Sequence, residues 1–369
     1  MPLTPLKLHI RKELPSRHAA AGAVALDGSP FIYYVSPGAE ARKFVIFQKG
    51  GGWCGSDLEC AERALTELGS SNASFFPPTI TFETFSQTNH FMLLFSNQSV
   101  SPLTWNFTKI FLPYLDGGSQ IGDLTAPVTV GKQTIYYRGK RIHRATMETL
   151  LAVEGLASAT DVVLSGGSAG GLSTYLHADT WKAALPSAKV VAVPDSGFFL
   201  NYNATSTKPP HRQTYGAMMR WVFNRMNGTG GVPDACVAAN PSDPALCIFA
   251  EVVSKTLKTP TLAQQSTYDS FQVDAILQQP ASNASAINAF GALLAARVQA
   301  ALTGSSPDHG VFLDSCFHHV GEWNDITIEN QTISQALAEF YASVGTPGAK
   351  RVWTQGKAYP CVKCCSNGQ

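Results

Sequence analysis

The chain has 369 residues, 44% hydrophobic and 14% charged, which is enough apolar material for a large core and too little charge for a disordered protein. Its 27 Lys and Arg nearly cancel 26 Asp and Glu, for a formal net charge of +1. Scattered basic residues at near-neutrality exclude nucleic acid as an expected partner, and no apolar run reaches the ~18 residues that a membrane span needs.

The opening segment, MPLTPLKLHIRKELP, lacks the apolar stretch of a signal peptide, so the chain is either intracellular or has lost its leader. Ala23 to Val35 (AVALDGSPFIYYV) predicts a hairpin turning at Asp27-Gly28. KFVIFQKGGGW predicts a buried strand running into glycines. A short helix is expected over 58–68, then a long polar-aromatic loop over 70–100, then a strand and turn at KIFLPYLDGGS. Apolar residues at helical spacing (Ile142, Met147, Leu150, Leu151, Leu156) predict a helix. DVVLSGGSAGG reads as strand then turn, GLSTYLHADTWKAAL as helix, and AKVVAVPDSG as strand then turn. Residues 200–260, rich in Pro, Asn and cysteine, are expected to form an irregular, cap-like insertion. A weaker strand at TPTLAQQSTYDSF, a long helix over 284–302 and a strand with its loop at GVFLDSCFHH follow. Strands alternating with helices imply an α/β fold: a mostly parallel sheet with helices on both faces, in one domain.

Eight cysteines include near neighbours (Cys54 and Cys60, Cys236 and Cys247) and a tail cluster, Cys361, Cys364 and Cys365. Asn-x-Ser/Thr sequons occur at Asn72, Asn97, Asn106, Asn203, Asn227, Asn283 and Asn330. Together these favour an oxidising, secretory history and a removed leader, hence a secreted or cell-wall location. A zinc knuckle in the tail is the rival reading, but it lacks a histidine or second CxxC at ligand spacing.

Gly166-Gly167-Ser168-Ala169-Gly170, between an apolar run and a helix, fits the nucleophile elbow. The helix beyond it aims N–H groups and a positive dipole end at Ser168, which places the Ala169 amide to meet a developing oxyanion. A serine hydroxyl needs a histidine to take its proton and an acid to hold that histidine's tautomer. In chain order Ser, acid, His, the candidates for base are His318 and His319, at the right end of the strand GVFLD; His309 lies at the wrong end. Asp195 and Asp269 both suit the acid, and the residues alone leave that choice open. QKGGGWCG offers a second donor loop for the oxyanion. It also satisfies Gly-x-Gly-x-x-Gly, but bulky Trp53 and Cys54 stand where a pyrophosphate would approach, and no ribose-binding acid follows.

The segments LDGSP, KGGGWC, YLDGGSQIGD, YYRGKRIHRATMETLL, LSGGSAGGLSTYLHAD, PDSGFFL, TPTLAQQSTYDSFQ, VFLDSCFHH and YPCVKCC occur in an order that resembles the plant pectin acetylesterase and Notum family, from about Leu8 to Cys365. The resemblance implies an α/β-hydrolase-like fold and a triad of Ser168, Asp269 and His319, with His318 a neighbour. It implies oxyanion donors at the amides of Gly51, Gly52 and Ala169, with Trp53 walling the pocket. Plant members usually carry cysteine where this chain has Leu115, Gly167 and Ala178, so their disulfide map does not transfer whole. Cys54–Cys60 and Cys236–Cys247 are the pairs the resemblance leaves in place, with a tail cysteine open to Cys316. DSGFFL is closer to the Notum wording than to the plant Asp-Ala-Gly.

The implied activity is hydrolysis of O-acetyl esters on pectin or another cell-wall polysaccharide through an acyl-enzyme, without cofactor or metal. The expected partner is that polysaccharide alone, and a monomer is expected. The alternatives are a Notum-like deacylase acting on a fatty acyl group of a protein, and an inactive wall-binding protein.

Overall fold

The computed structural model describes residues 8–81, 88–204, 213–361 and 364–365. Fourteen strands occur among them: β1 (His9–Glu13), β2 (Ile32–Ser36), β3 (Glu40–Gln48), β4 (Thr79–Ile80), β5 (Phe107–Leu112), β6 (Val128–Val130), β7 (Gln133–Ile135), β8 (Asp161–Gly167), β9 (Lys189–Asp195), β10 (Leu262–Ser266), β11 (Gly310–Asp314), β12 (Thr327–Ile328), β13 (Gln331–Thr332) and β14 (Val352–Thr354). Ten of them build one sheet in the order β14-β11-β10-β9-β8-β3-β5-β2-β1-β4. From β14 across to β5 every pairing is parallel, and the remaining three strands join antiparallel. The pairs β6–β7 and β12–β13 are small separate ribbons.

β8 and β9, DVVLSGG and KVVAVPD, are buried at every position but those near their starts. An unbroken apolar run of this kind is stable only when both faces of the sheet are covered, as the parallel α/β reading requires. Helices Gly139–Val153, Ala169–Ala184, Ala284–Ala301 and Ile333–Ser343 supply cover, and a continuous apolar cluster runs from Leu14 to Trp353. No described helix is long and apolar enough to cross a membrane.

Two expectations change. The hairpin over Ala23–Val35 reduces to a single bridge between Val24 and Pro30, because Leu26 is engaged elsewhere: its N–H donates to Leu115 and its carbonyl accepts from Tyr136. β2 pairs instead with β1 and β5. The insertion over 200–260, of which 205–212 lie outside the described residues, is largely helical rather than irregular: Tyr215–Arg225, Asp234–Ala239 and Ala250–Val253. Its Thr and Pro residues work as helix starts; Thr214 accepts from the Ala217 amide, and Pro233 precedes the second helix. Likewise 82–87 of the expected loop over 70–100 lie outside the described residues.

Four disulfides join Cys54–Cys60, Cys236–Cys247, Cys316–Cys365 and Cys361–Cys364, so the tail cysteines pair with sulfur rather than forming a zinc knuckle. None of the seven sequon asparagines is buried.

Candidate active site

Five neighbouring parallel strands end on the same edge of the sheet, and each delivers part of one site there. β8 ends at Gly167 and the chain turns at Ser168 with φ 56° and ψ −124°, a conformation a non-glycine residue holds only under strain. The Ser168 N–H donates to the Asp195 carbonyl at 2.9 Å, fastening the turn to the end of β9. Helix Ala169–Ala184 starts at once, so its first amides face the serine.

From β11 the chain runs into a loop carrying His319, and from β10 into a turn carrying Asp269. The Ser168 hydroxyl lies 2.9 Å from His319 Nε2, while His319 Nδ1 lies 3.0 and 2.9 Å from the two carboxylate oxygens of Asp269. A carboxylate can only accept, so Nδ1 carries the hydrogen and Nε2 turns a lone pair to the serine. Asp269 is fully buried and held twice more: its Oδ2 accepts from Gln265 Nε2 at 2.9 Å, and its Oδ1 from the Gln272 amide at 3.1 Å. Phe271 stacks on the His319 ring at 5.1 Å between centroids, and Phe199 lies tilted at 6.0 Å.

The other residues considered from sequence stand apart from this chain of bonds. Asp195 accepts from the Gly321 amide, Trp323 Nε1 and Ser196 Oγ. His318 faces Asp314, and His309 faces the Leu257 carbonyl.

The glycine loop after β3 reaches the same place. The amides of Gly51, Gly52 and Ala169 donate to no other described residue, while the Gly51 carbonyl accepts from Arg63 Nη1 at 2.8 Å. A cavity of about 290 Å³ opens beside Ser168, walled by Phe47, Leu68, Phe91 and Val320, with Lys49 and Glu67 paired at 2.9 Å. Trp53 is not in that wall, contrary to expectation. Its indole is buried behind the loop, Nε1 donating to Ser119 Oγ at 2.9 Å and the ring lying edge-on to Phe199 and Tyr215. An indole with a polar edge and nearby hydroxyl is satisfied inward.

A family model described as Pectinacetylesterase matches residues 6–366. The chain belongs to the pectinacetylesterase family. By family, then, it is a carboxylic ester hydrolase. It is 28% identical to pectin acetylesterase 5 of Arabidopsis thaliana over 97% of this chain and 85% of that protein. With pectin acetylesterase 11 of the same plant it shares 30% over 87% of this chain and 85% of that one. Its fold is similar to that of the Wnt deacylase Notum from Drosophila, with a TM-score of 0.77 at 22% identity, covering 95% of this chain and 98% of that one.

Two residues that brace the site of this pectinacetylesterase-family chain were given no role from sequence. Arg63 holds the glycine loop by two carbonyls, that of Gly51 and, at 3.2 Å, that of Trp53. Ser119, with φ 52°, passes the Trp53 hydrogen bond on to the Ala169 carbonyl at 2.9 Å, joining glycine loop and elbow. Phe271 and Gln265 had a local signal, lying two and four residues from Asp269, and Ser119 lies within the segment YLDGGSQIGD.

Proposed function

We propose that Ser168, His319 and Asp269 act as a catalytic triad that hydrolyses O-acetyl esters carried by a cell-wall polysaccharide such as pectin. The observation that carries this reading is the unbroken hydrogen-bond chain from Asp269 through His319 to Ser168, opening onto a cavity. In the first half-reaction His319 Nε2 takes the Ser168 proton as Oγ attacks the acetyl carbonyl. Asp269 steadies the imidazolium that forms. The amides of Gly51, Gly52 and Ala169 receive the oxyanion, each such donor typically supplying about 3–4 kcal/mol of barrier lowering. His319 returns the proton to the departing sugar oxygen. Water, activated through the same Nε2, then attacks the acyl-serine and acetate leaves. This route calls on no cofactor. The names of the plant relatives support acetylated pectin as substrate. Four disulfides and unburied sequons support an extracellular setting, and the continuous core supports a single folded domain.

The test is a panel of acetylated pectin, acetylated xylan and p-nitrophenyl acetate, run beside labelling with a fluorophosphonate. Acetate release with an adduct on Ser168 is the expected result. No adduct would turn the reading toward a binding protein on a silent scaffold.

Arg63→Met is expected to lower kcat/KM on p-nitrophenyl acetate about 100-fold, the scale of a lost oxyanion donor, because both carbonyls it anchors are released and the loop drifts. Near-parental activity would mean that the glycine loop holds itself.

The apolar wall of Phe47, Leu68, Phe91 and Val320 favours a second reading, a longer acyl group. Acetyl and octanoyl p-nitrophenyl esters separate the two: a higher kcat/KM on octanoyl would move the assignment toward fatty-acyl removal.

A further inference from the structure

His318 takes no part in the reaction as written, yet it stands in an unusual electrostatic setting. Its side chain is 11% exposed and that of Asp314 only 1%. His318 Nε2 lies 3.1 Å from both Asp314 oxygens, and Nδ1 faces the Val320 carbonyl at 3.4 Å. A neutral imidazole has a single N–H, so one of its nitrogens would here aim a lone pair at an oxygen. The imidazolium satisfies both.

Charge balance leads to the same state. The charged groups acting on His318 are Asp314 at the end of β11, Asp195 at the end of β9 and Asp269 beyond β10, with His319 its neighbour in the chain. All three carboxylates are buried. Buried carboxylates without a cation are costly, and a positive charge at 318 supplies the counter-charge. Burial lowers the affinity of this ring for a proton, but Asp314, Asp195 and Asp269 outweigh it and lift the pKa to about 9.

The loop beyond His319 needs holding. Val320, Gly321 and Glu322 have φ values of 59°, 82° and 58°, and for a β-branched valine this conformation is strained. The Val320 amide donates to Ser196 Oγ and the Gly321 amide to Asp195 Oδ2, both at 2.9 Å. On the other side of His319, the Ser270 amide donates to the His318 carbonyl at 3.0 Å. His319 therefore sits between two fastened peptides, and the His318 ring grips the Val320 carbonyl.

We propose that His318 is a positioning residue working as a standing imidazolium: pinned to Asp314, it clamps the backbone on either side of His319 and so fixes the direction of that base. The inference rests on His319 being the base. With the pKa raised above its ordinary 6.5, the stabilisation from this charge is full below about pH 6.5 and lost as pH rises through about 9.

Two measurements test it. The intact protein, labelled with 15N-histidine, is titrated by NMR from about pH 6 to 10. Two protonated ring nitrogens on His318 at pH 7.5, with one proton lost near pH 9, is the expected result; a singly protonated ring at pH 7.5 overturns the proposal. In the second arm, His318→Gln keeps a donor for Asp314 and removes the charge. On p-nitrophenyl acetate kcat is expected to fall about 10-fold at unchanged KM, because the base loses its direction and not the substrate its seat. Parental kcat, or a loss confined to KM, overturns the proposal, and if the variant does not fold the NMR arm decides. Activity surviving in Ser168→Ala would strike the triad and leave the charge state of His318 standing, so the two failures are distinguishable.

Discussion

Ser168→Ala is expected to lower turnover by a factor on the order of 10⁶ while the protein keeps its fold. The substitution removes only Oγ, the atom 2.9 Å from His319 Nε2, and leaves Asp269, the glycine loop and the elbow backbone intact. Steady-state hydrolysis of p-nitrophenyl acetate reads the first effect and a thermal melt the second. Because the turn holds φ 56° at position 168, Ser168→Gly should be equally inactive but more stable than the alanine variant, by about 1 kcal/mol. Residual turnover within 100-fold of the parent would remove Ser168 from its role; a glycine variant no more stable than alanine would show that the elbow stores no strain.

Gly170→Ala should cost about 4 kcal/mol or prevent folding altogether. A Cβ added there would lie 2.1 Å from the Gln48 carbonyl oxygen and 2.7 Å from that of Lys49, both backbone atoms at the end of β3. Neither can swing aside, so strand and elbow helix would have to part, and the glycine loop leaves from that strand end. Gly167→Ala is the control. Its added Cβ would find nothing nearer than Val320 Cγ1 at 3.4 Å, an ordinary contact, and it would narrow the cavity that Gly167 lines. Urea denaturation of the two variants should separate them clearly; equal midpoints would contradict the close crossing of β3 and the elbow.

What could be read without coordinates was whatever depends on neighbours in the chain. The runs VVL and VVAV announced strands β8 and β9 because burial on both faces demands apolar residues at successive positions. The G-x-S-x-G elbow was legible because a close crossing admits only hydrogen at certain Cα atoms. Sequence pattern could not choose between Asp195 and Asp269, since both follow a strand ending on the same edge. The difference lies in direction: Asp269 turns to His319, and Asp195 turns to the loop beyond it. Helix Ile333–Ser343 went unread although Thr332 and Gln335 spell a capping box. Strand β14, at one edge of the sheet, and β1, next to the other edge, are short pieces whose pairing depends on partners far away in the chain. The roles of Arg63 and Ser119 could not be read for the same reason; their bonds exist only once the glycine loop has been brought against them.

Two of the disulfides flank the arms that meet Ser168. Cys54, bridged to Cys60, directly follows Trp53 in the glycine loop, and Cys316, bridged to Cys365, lies three residues before His319. The serine elbow between them is braced by backbone packing and needs no sulfur. With its thiols reduced, the polypeptide would thus keep the turn at Ser168 while the loops on either side of it came untied, so the site depends on oxidation for its neighbours and not for its centre.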